Sequence, residues 1–167
     1  MVEPVTAALA GIALVQKSVS SRWGYGNLME YRVELRTVTS PEEVRLEDDP
    51  VRKGVDHHFR MTNGRRIFTI PEKAVVCTAN TFKLPTTMNE LERYSDSNAE
   101  EFTIFYTVWS YEKGYGRLIL NYVLPLLNTN RYVTLSPKTD MAVRFHTRNG
   151  AKMIADNEES YNFEYYK

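Results

Sequence analysis

The nine residues FTIFYTVWS at positions 102–110 constrain the chain more than any other stretch, because all but the last are β-branched or aromatic. Such side chains suit a pleated surface, and a run without polar alternation marks a strand covered on both faces. A doubly covered strand requires a layer on each side, so the fold is a sheet flanked by helices. The strand is followed by Glu112-Lys113-Gly114-Tyr115-Gly116, a glycine-bearing turn. Residues 117–127 (RLILNYVLPLL) then carry helical spacing that Pro125 ends.

The rest of the chain punctuates itself in the same way. Residues 29–38 alternate apolar and polar, as a half-covered strand does, and Ser40 caps a turn with Pro41 in its first position. A helical or irregular region reaches to about Met61, and Asn63-Gly64 marks a turn. Residues 66–70 and 74–82 form a hairpin joined by Pro71-Glu72-Lys73, and residues 86–94 form a short helix. A strand over 131–135 is broken by Ser136-Pro137. Thr139 or Asp140 caps a helix through Asn149, with Gly150 as its stop, and residues 161–166 close the chain as a strand. This order predicts an α/β (α+β) fold with a mixed, mainly antiparallel sheet. Residues 5–15 (VTAALAGIALV) read as a small-residue helix starting near Pro4, and the serines and glycines of 18–26 as a loop. The chain thus divides into an N-terminal helix or extension, 1–26, and a domain, 27–167.

Composition narrows the functional classes. Lys and Arg total 21 against 21 Asp and Glu, so the basic excess of a general nucleic-acid binder is missing. Cys77 is the single cysteine, which excludes a disulfide framework or a cysteine-based zinc site, and no metal centre is expected. The apolar stretch at 5–15 is too short to span a membrane, and no Lys or Arg precedes it as in a secretory signal. A cytoplasmic protein is expected. The charge is uneven: Glu42, Glu43, Glu47, Asp48 and Asp49 cluster early, whereas Lys113, Arg117, Arg144, Arg148 and Lys152 lie in the second half.

Two sites in that half carry candidate chemistry. Gly114 and Gly116 stand at a helix N-terminus, where backbone N–H groups favour anions and glycine admits a phosphate, with Lys113 and Arg117 as added charge. The bland reading is a strand-to-helix turn that needs small residues. Ser136 lies past a strand end and His146 on the next helix, so both can face one cleft mouth. A histidine of near-neutral pKa can supply or accept a proton there. The bland reading makes Ser136 a cap and His146 a packing residue. His57 and His58 read as surface or packing residues.

The central strand with Gly114-Tyr115-Gly116, and Ala142-Val143-Arg144-Phe145-His146 with Asn149-Gly150-Ala151, together resemble the GNAT acyltransferase superfamily over about residues 29–167. The first looks like its pyrophosphate motif (Q/R)-x-x-G-x-G/A and the second like its later helix motif. Tyr111 replaces the usual Gln or Arg, His146 stands where many members have a tyrosine acid, and the central strand lacks an internal carboxylate. Thr134-Leu135-Ser136-Pro137 and Arg144 to Ala151 further resemble the C-terminal GNAT-like domain of malonyl-CoA decarboxylase, whose catalytic Ser and His match Ser136 and His146. The resemblance implies acetyl-CoA or another acyl-CoA as co-substrate, bound where the central strand splays from 131–135. Backbone groups of Thr107, Val108 and Trp109 would hold the pantetheine arm, and Lys113, Gly114, Tyr115, Gly116 and Arg117 the pyrophosphate, with Asn149 in the later motif. It implies transfer of an acyl group to an acceptor amine; alternatively, decarboxylation of a malonyl-type thioester, or a non-catalytic binding or structural module. The N-terminal helix offers a contact for a homodimer.

Overall fold

The computed structural model describes residues 4–9, 12–23 and 27–167, with side chains described from Val33 onward. Strands β1 (Pro4–Leu9), β2 (Ile12–Trp23) and β3 (Asn27–Thr37) come first. Two single 3-10 turns and the short α1 (His57–Arg60) lead to the hairpin β4 (Arg65–Ile70) and β5 (Ala74–Thr81). Then follow α2 (Met88–Tyr94), β6 (Phe102–Ser110), α3 (Tyr115–Val123), β7 (Arg131–Thr134), α4 (Asp140–Arg148), β8 (Lys152–Asp156) and β9 (Tyr161–Tyr165). The described strands form one sheet in the order β1-β2-β3-β4-β5-β6-β7-β9-β8. Among these strands, β6 and β7 are the one parallel pair; the others run antiparallel. Among the described residues no helix is long and apolar enough to cross a membrane.

The expected α/β architecture is present, and β6 occupies the predicted residues 102–110, with Thr103 to Thr107 and Trp109 buried. One face of the sheet carries α3 and α4, with Phe68, Phe105, Ile119, Leu120, Val123 and Phe163 in its core. The other face carries α1 and α2 and holds Ile67, Cys77, Leu91, Ile104, Tyr106 and Trp109. Pro125 ends α3 in a 3-10 turn, as its missing N–H requires. At α4, Thr139 is the N-cap, its Oγ1 accepting from the Ala142 N–H at 3.1 Å. Gly150, at φ 87°, closes the other end of α4, where the N–H groups of Gly150 and Ala151 donate to Thr147 and His146.

Two parts of the sequence reading are corrected. The helix expected over 5–15 is replaced by the β1–β2 hairpin, and β2 pairs with β3 from Leu14↔Arg36 to Trp23↔Asn27. Ala and Leu are strong helix formers, but propensity is a small term that strand pairing overrides, and the β-branched Val5, Thr6, Ile12, Val15 and Val19 fit a strand that has a partner beside it. The face on which a partner contact was expected is therefore a strand face. The loop expected over 18–26 becomes strand to Trp23, and residues 24–26 lie outside the described residues. The second correction is β8, a five-residue strand that the sequence reading did not include.

A buried ion pair anchors the segment between β3 and β4. Asp49 and Arg60 are fully covered, with Nη1 donating to Oδ2 at 2.7 Å. Asp49 Oδ1 also accepts from the Val51 N–H at 2.8 Å, the Arg52 N–H at 3.1 Å and the Thr107 hydroxyl at 2.9 Å. Burial alone would raise this carboxyl's pKa, but these donors outweigh it and hold the group below the ordinary aspartate value. Removing one partner of such a pair strands the other charge in the interior. Asp49→Ala should therefore destabilise the fold by about 3–5 kcal/mol, read as a lower urea midpoint with an unchanged slope.

Candidate functional site

The parallel ladder of β6 and β7 runs from Phe102↔Arg131 to Phe105↔Thr134 and stops there. A bulge explains the parting. Opposite Cys77 and Thr78, β6 carries one extra residue, Tyr106. Tyr106 and Thr107 consequently both reach the α1 side, one in the core and the other on Asp49. Past the last Leu135 N–H to Phe105 carbonyl bond, the Arg52 guanidinium takes over. Its Nε donates to the Tyr106 carbonyl at 2.9 Å and its Nη2 to the Leu135 carbonyl at 2.8 Å. Arg52 thus satisfies two carbonyls that the diverging strands no longer share.

Between the strands lies a cleft of about 310 Å³. Thr107, Val108, Trp109 and Ser110 form one wall, Leu135, Ser136 and Pro137 the other, and Ala142, Phe145 and His146 of α4 a third. Met141, 74% exposed, stands at its lip. Gly116 lines the far end, where an added Cβ would meet the Phe145 ring at 3.3 Å.

The expected site residues fall into three groups. Thr107, Val108, Trp109, Gly116, Ser136 and His146 line the cleft together. Gly114, at φ 89°, is the left-handed N-cap of α3, and exposed Lys113 and Arg117 flank it without an ion-pair partner among the described residues. In the first turn of α3, Tyr115 N–H bonds to Glu112 and Leu118 N–H to Gly114, leaving Gly116 and Arg117 N–H without helical acceptors. Tyr115 instead packs against the core with Lys73 over its ring, and Asn149 caps the C-terminus of α4 beside Tyr165.

Ser136 and His146 share the cleft, but no hydrogen bond joins them among the described residues. The Ser136 hydroxyl donates to Thr134 Oγ1 at 2.7 Å, and its backbone pairs with Tyr161. His146 is only 6% exposed and lies among the rings of Phe145, Phe163 and Tyr165. Its Nδ1 lies 2.7 Å from the Tyr165 hydroxyl. Burial lowers its pKa to about 4. The near-neutral histidine expected from sequence is therefore a neutral imidazole at physiological pH. Burial pushes the Tyr165 phenol the other way, upward, so it keeps its proton. The sequence reading missed Tyr165 and Arg52. Tyr165 lay within an aromatic closing strand with nothing local to set it apart, and Arg52 contacts β6 and β7 across 54 and 83 residues.

Among the described residues, no Asp, Glu, Lys or Arg side chain lines the cleft. Among the described residues no cluster of His, Cys, Asp and Glu is placed to hold a metal ion. The chain matches no protein-family model and no curated protein.

A histidine whose folded pKa lies below its unfolded value binds protons more readily in the unfolded chain. Its contribution is complete above about pH 6.5 and is lost as pH falls toward 4. The shift corresponds to about 3 kcal/mol. His146→Gln should flatten the pH dependence of stability across this window, measured as the difference between wild-type and variant urea unfolding at pH 7, 5.5 and 4.

Proposed function

We propose that the chain binds an acyl-CoA thioester in the β6–β7 cleft and transfers its acyl group to an acceptor amine, as a GNAT-like acyltransferase. The carrying observation is the parallel strand pair that opens after Phe105 into an apolar cleft ending at the glycine-bearing start of α3. The unpaired edge of residues 107–110 offers backbone groups to a pantetheine arm, as an open strand edge does. Gly116 and Arg117 N–H, with Lys113 and Arg117, suit a pyrophosphate. His146 and Ser136 lie along the cleft where the thioester would end. The sheet order and the single parallel pair support the resemblance seen in the sequence.

The lining also favours a second reading, decarboxylation of a malonyl-type thioester. Aminolysis needs a base to deprotonate the acceptor ammonium before it attacks, and among the described residues no carboxylate lines the cleft. Decarboxylation breaks the bond to the departing carboxylate and leaves an enolate. It needs an apolar surrounding for the carboxylate, a donor to the enolate oxygen and a proton at carbon. The cleft walls with Ser136 suit the first, His146 suits the second, and solvent at the open cleft mouth supplies the third.

Calorimetric titration with CoA and acetyl-CoA tests the shared part. Binding is expected, and Gly116→Leu should weaken it by at least about tenfold, because the added side chain meets Phe145 and covers the helix N–H groups. A folded wild-type protein that binds neither ligand refutes both readings. Incubation of malonyl-CoA without acceptor then divides them. Amine-dependent thiol release supports transfer, whereas acetyl-CoA and carbon dioxide formed without amine, and lost in Ser136→Ala and His146→Ala, support decarboxylation.

A further inference from the structure

We propose that Tyr165 locks His146 in the Nε2–H tautomer, so that the neutral ring serves the cleft as a hydrogen-bond donor and not as an acid. The 2.7 Å contact between Nδ1 and the phenol oxygen contains one proton, and its owner decides which nitrogen of His146 faces the cleft protonated. The surroundings assign it. The Asn149 amide stands beside the phenol, and its Nδ2 is a buried donor with no hydrogen-bond partner among the described residues, so the acceptor it needs is the phenol oxygen. With the phenol proton directed at Nδ1, the donors run in one direction, from Asn149 to Tyr165 to His146 and from Nε2–H into the cleft. The reverse arrangement puts the proton on Nδ1 and turns the phenol hydrogen toward the Asn149 amide N–H, leaving two buried donors facing each other. The other groups against the imidazole are the rings of Phe145 on α4 and Phe163 on β9, and no charged side chain contributes to its shift. Nothing there offsets a charge on the ring.

A neutral imidazole with its N–H fixed is a weak acid but an effective electrophile toward an oxygen that gains negative charge. The partner it suits is the carbonyl oxygen of a thioester, which becomes a tetrahedral oxyanion during acyl transfer or an enolate oxygen during decarboxylation. The functional half rests on the thioester reading above; the tautomer does not. Tyr165 is accordingly a positioning residue, and His146 the group that touches the reacting oxygen.

Long-range proton–nitrogen correlation spectra of the ¹⁵N-labelled protein test the tautomer without ligand, with His146 assigned by its loss in His146→Gln. The expected result is a protonated-type Nε2 and an unprotonated-type Nδ1, unchanged from pH 8 to pH 5. A protonated Nδ1, or an imidazolium at pH 7, overturns the proposal. In Tyr165→Phe the two tautomers should mix; an unchanged spectrum in a folded variant also overturns it. If acetyl-CoA or malonyl-CoA turns over, His146→Ala should lower kcat by about 10²-fold with KM within a factor of about two. His146→Gln, which keeps an N–H donor but cannot act as a proton-transfer acid, should recover part of that loss. If Gln is as inactive as Ala while the wild-type Nε2 is protonated, the donor role falls and the tautomer stands. Failure of CoA binding would remove the thioester reading and leave the spectra to decide the tautomer.

Discussion

A single carboxylate, Asp49, sits fully buried with Arg60 and gathers four donors from three separate parts of the chain. A charge so placed is stable only when every lone pair is used, and satisfying it here dictates the path of residues 49–60. Arg60 extends the constraint, donating from Nε to the Val55 carbonyl and from Nη2 to the Arg52 carbonyl. Arg52 is thereby delivered to the mouth of the sheet, where its own guanidinium meets β6 and β7. The ion pair fixes a loop, the loop fixes an arginine, and the arginine caps the carbonyls exposed by two strands that part. Replacing the pair with apolar residues would fill the same space but would not aim Arg52.

The cleft that results combines apolar walls with a few directed polar groups. Its aromatic and aliphatic lining lowers the local dielectric, which strengthens any hydrogen bond made inside it. The same lining makes a charged imidazole unfavourable, so the site's histidine is neutral for the reason that its hydrogen bonds are strong. Cys77, on the opposite face of the sheet, shows the same physics applied to an unused group. Burial raises its thiol to about 11 despite Arg60 Nη1 at 3.6 Å, so it remains a packing residue.

The elements that were legible in the sequence are those specified locally. The composition of 102–110, the proline at 125, the Thr139 cap and the Gly150 stop each act within a few residues of themselves, and each element forms where those signals put it. The N-terminal stretch was misread because alanine and leucine are compatible with both states and the deciding partner, β3, lies elsewhere in the chain. β8 escaped for a related reason: Lys152–Asp156 is short and largely exposed, and its only described strand neighbour is β9. The cleft residues could be named from motif letters, but their physical state could not. The pKa of His146 is set by Phe163 and Tyr165 from the last strand, and Thr107 turns toward Asp49 because of a bulge that no local pattern announces.

The parting of β6 and β7 needs a pull as well as a prop, and β9 supplies it. As β7 leaves β6, Ser136 exchanges backbone hydrogen bonds with Tyr161 at 2.9 and 3.0 Å. Thr134 Oγ1 accepts from the Phe163 N–H at 3.0 Å, and the Asn162 amide donates to the Thr134 carbonyl at 2.8 Å. β7 therefore keeps β9 on its other edge past the residue where it loses β6 and the cleft begins. Two positions further along, β9 carries Tyr165, the partner of His146. One strand thus holds the cleft open and orients the histidine that faces into it. A displacement of β9 would alter both together, so cleft width and imidazole position are coupled through covalent neighbours, with no further contact required between Ser136 and His146.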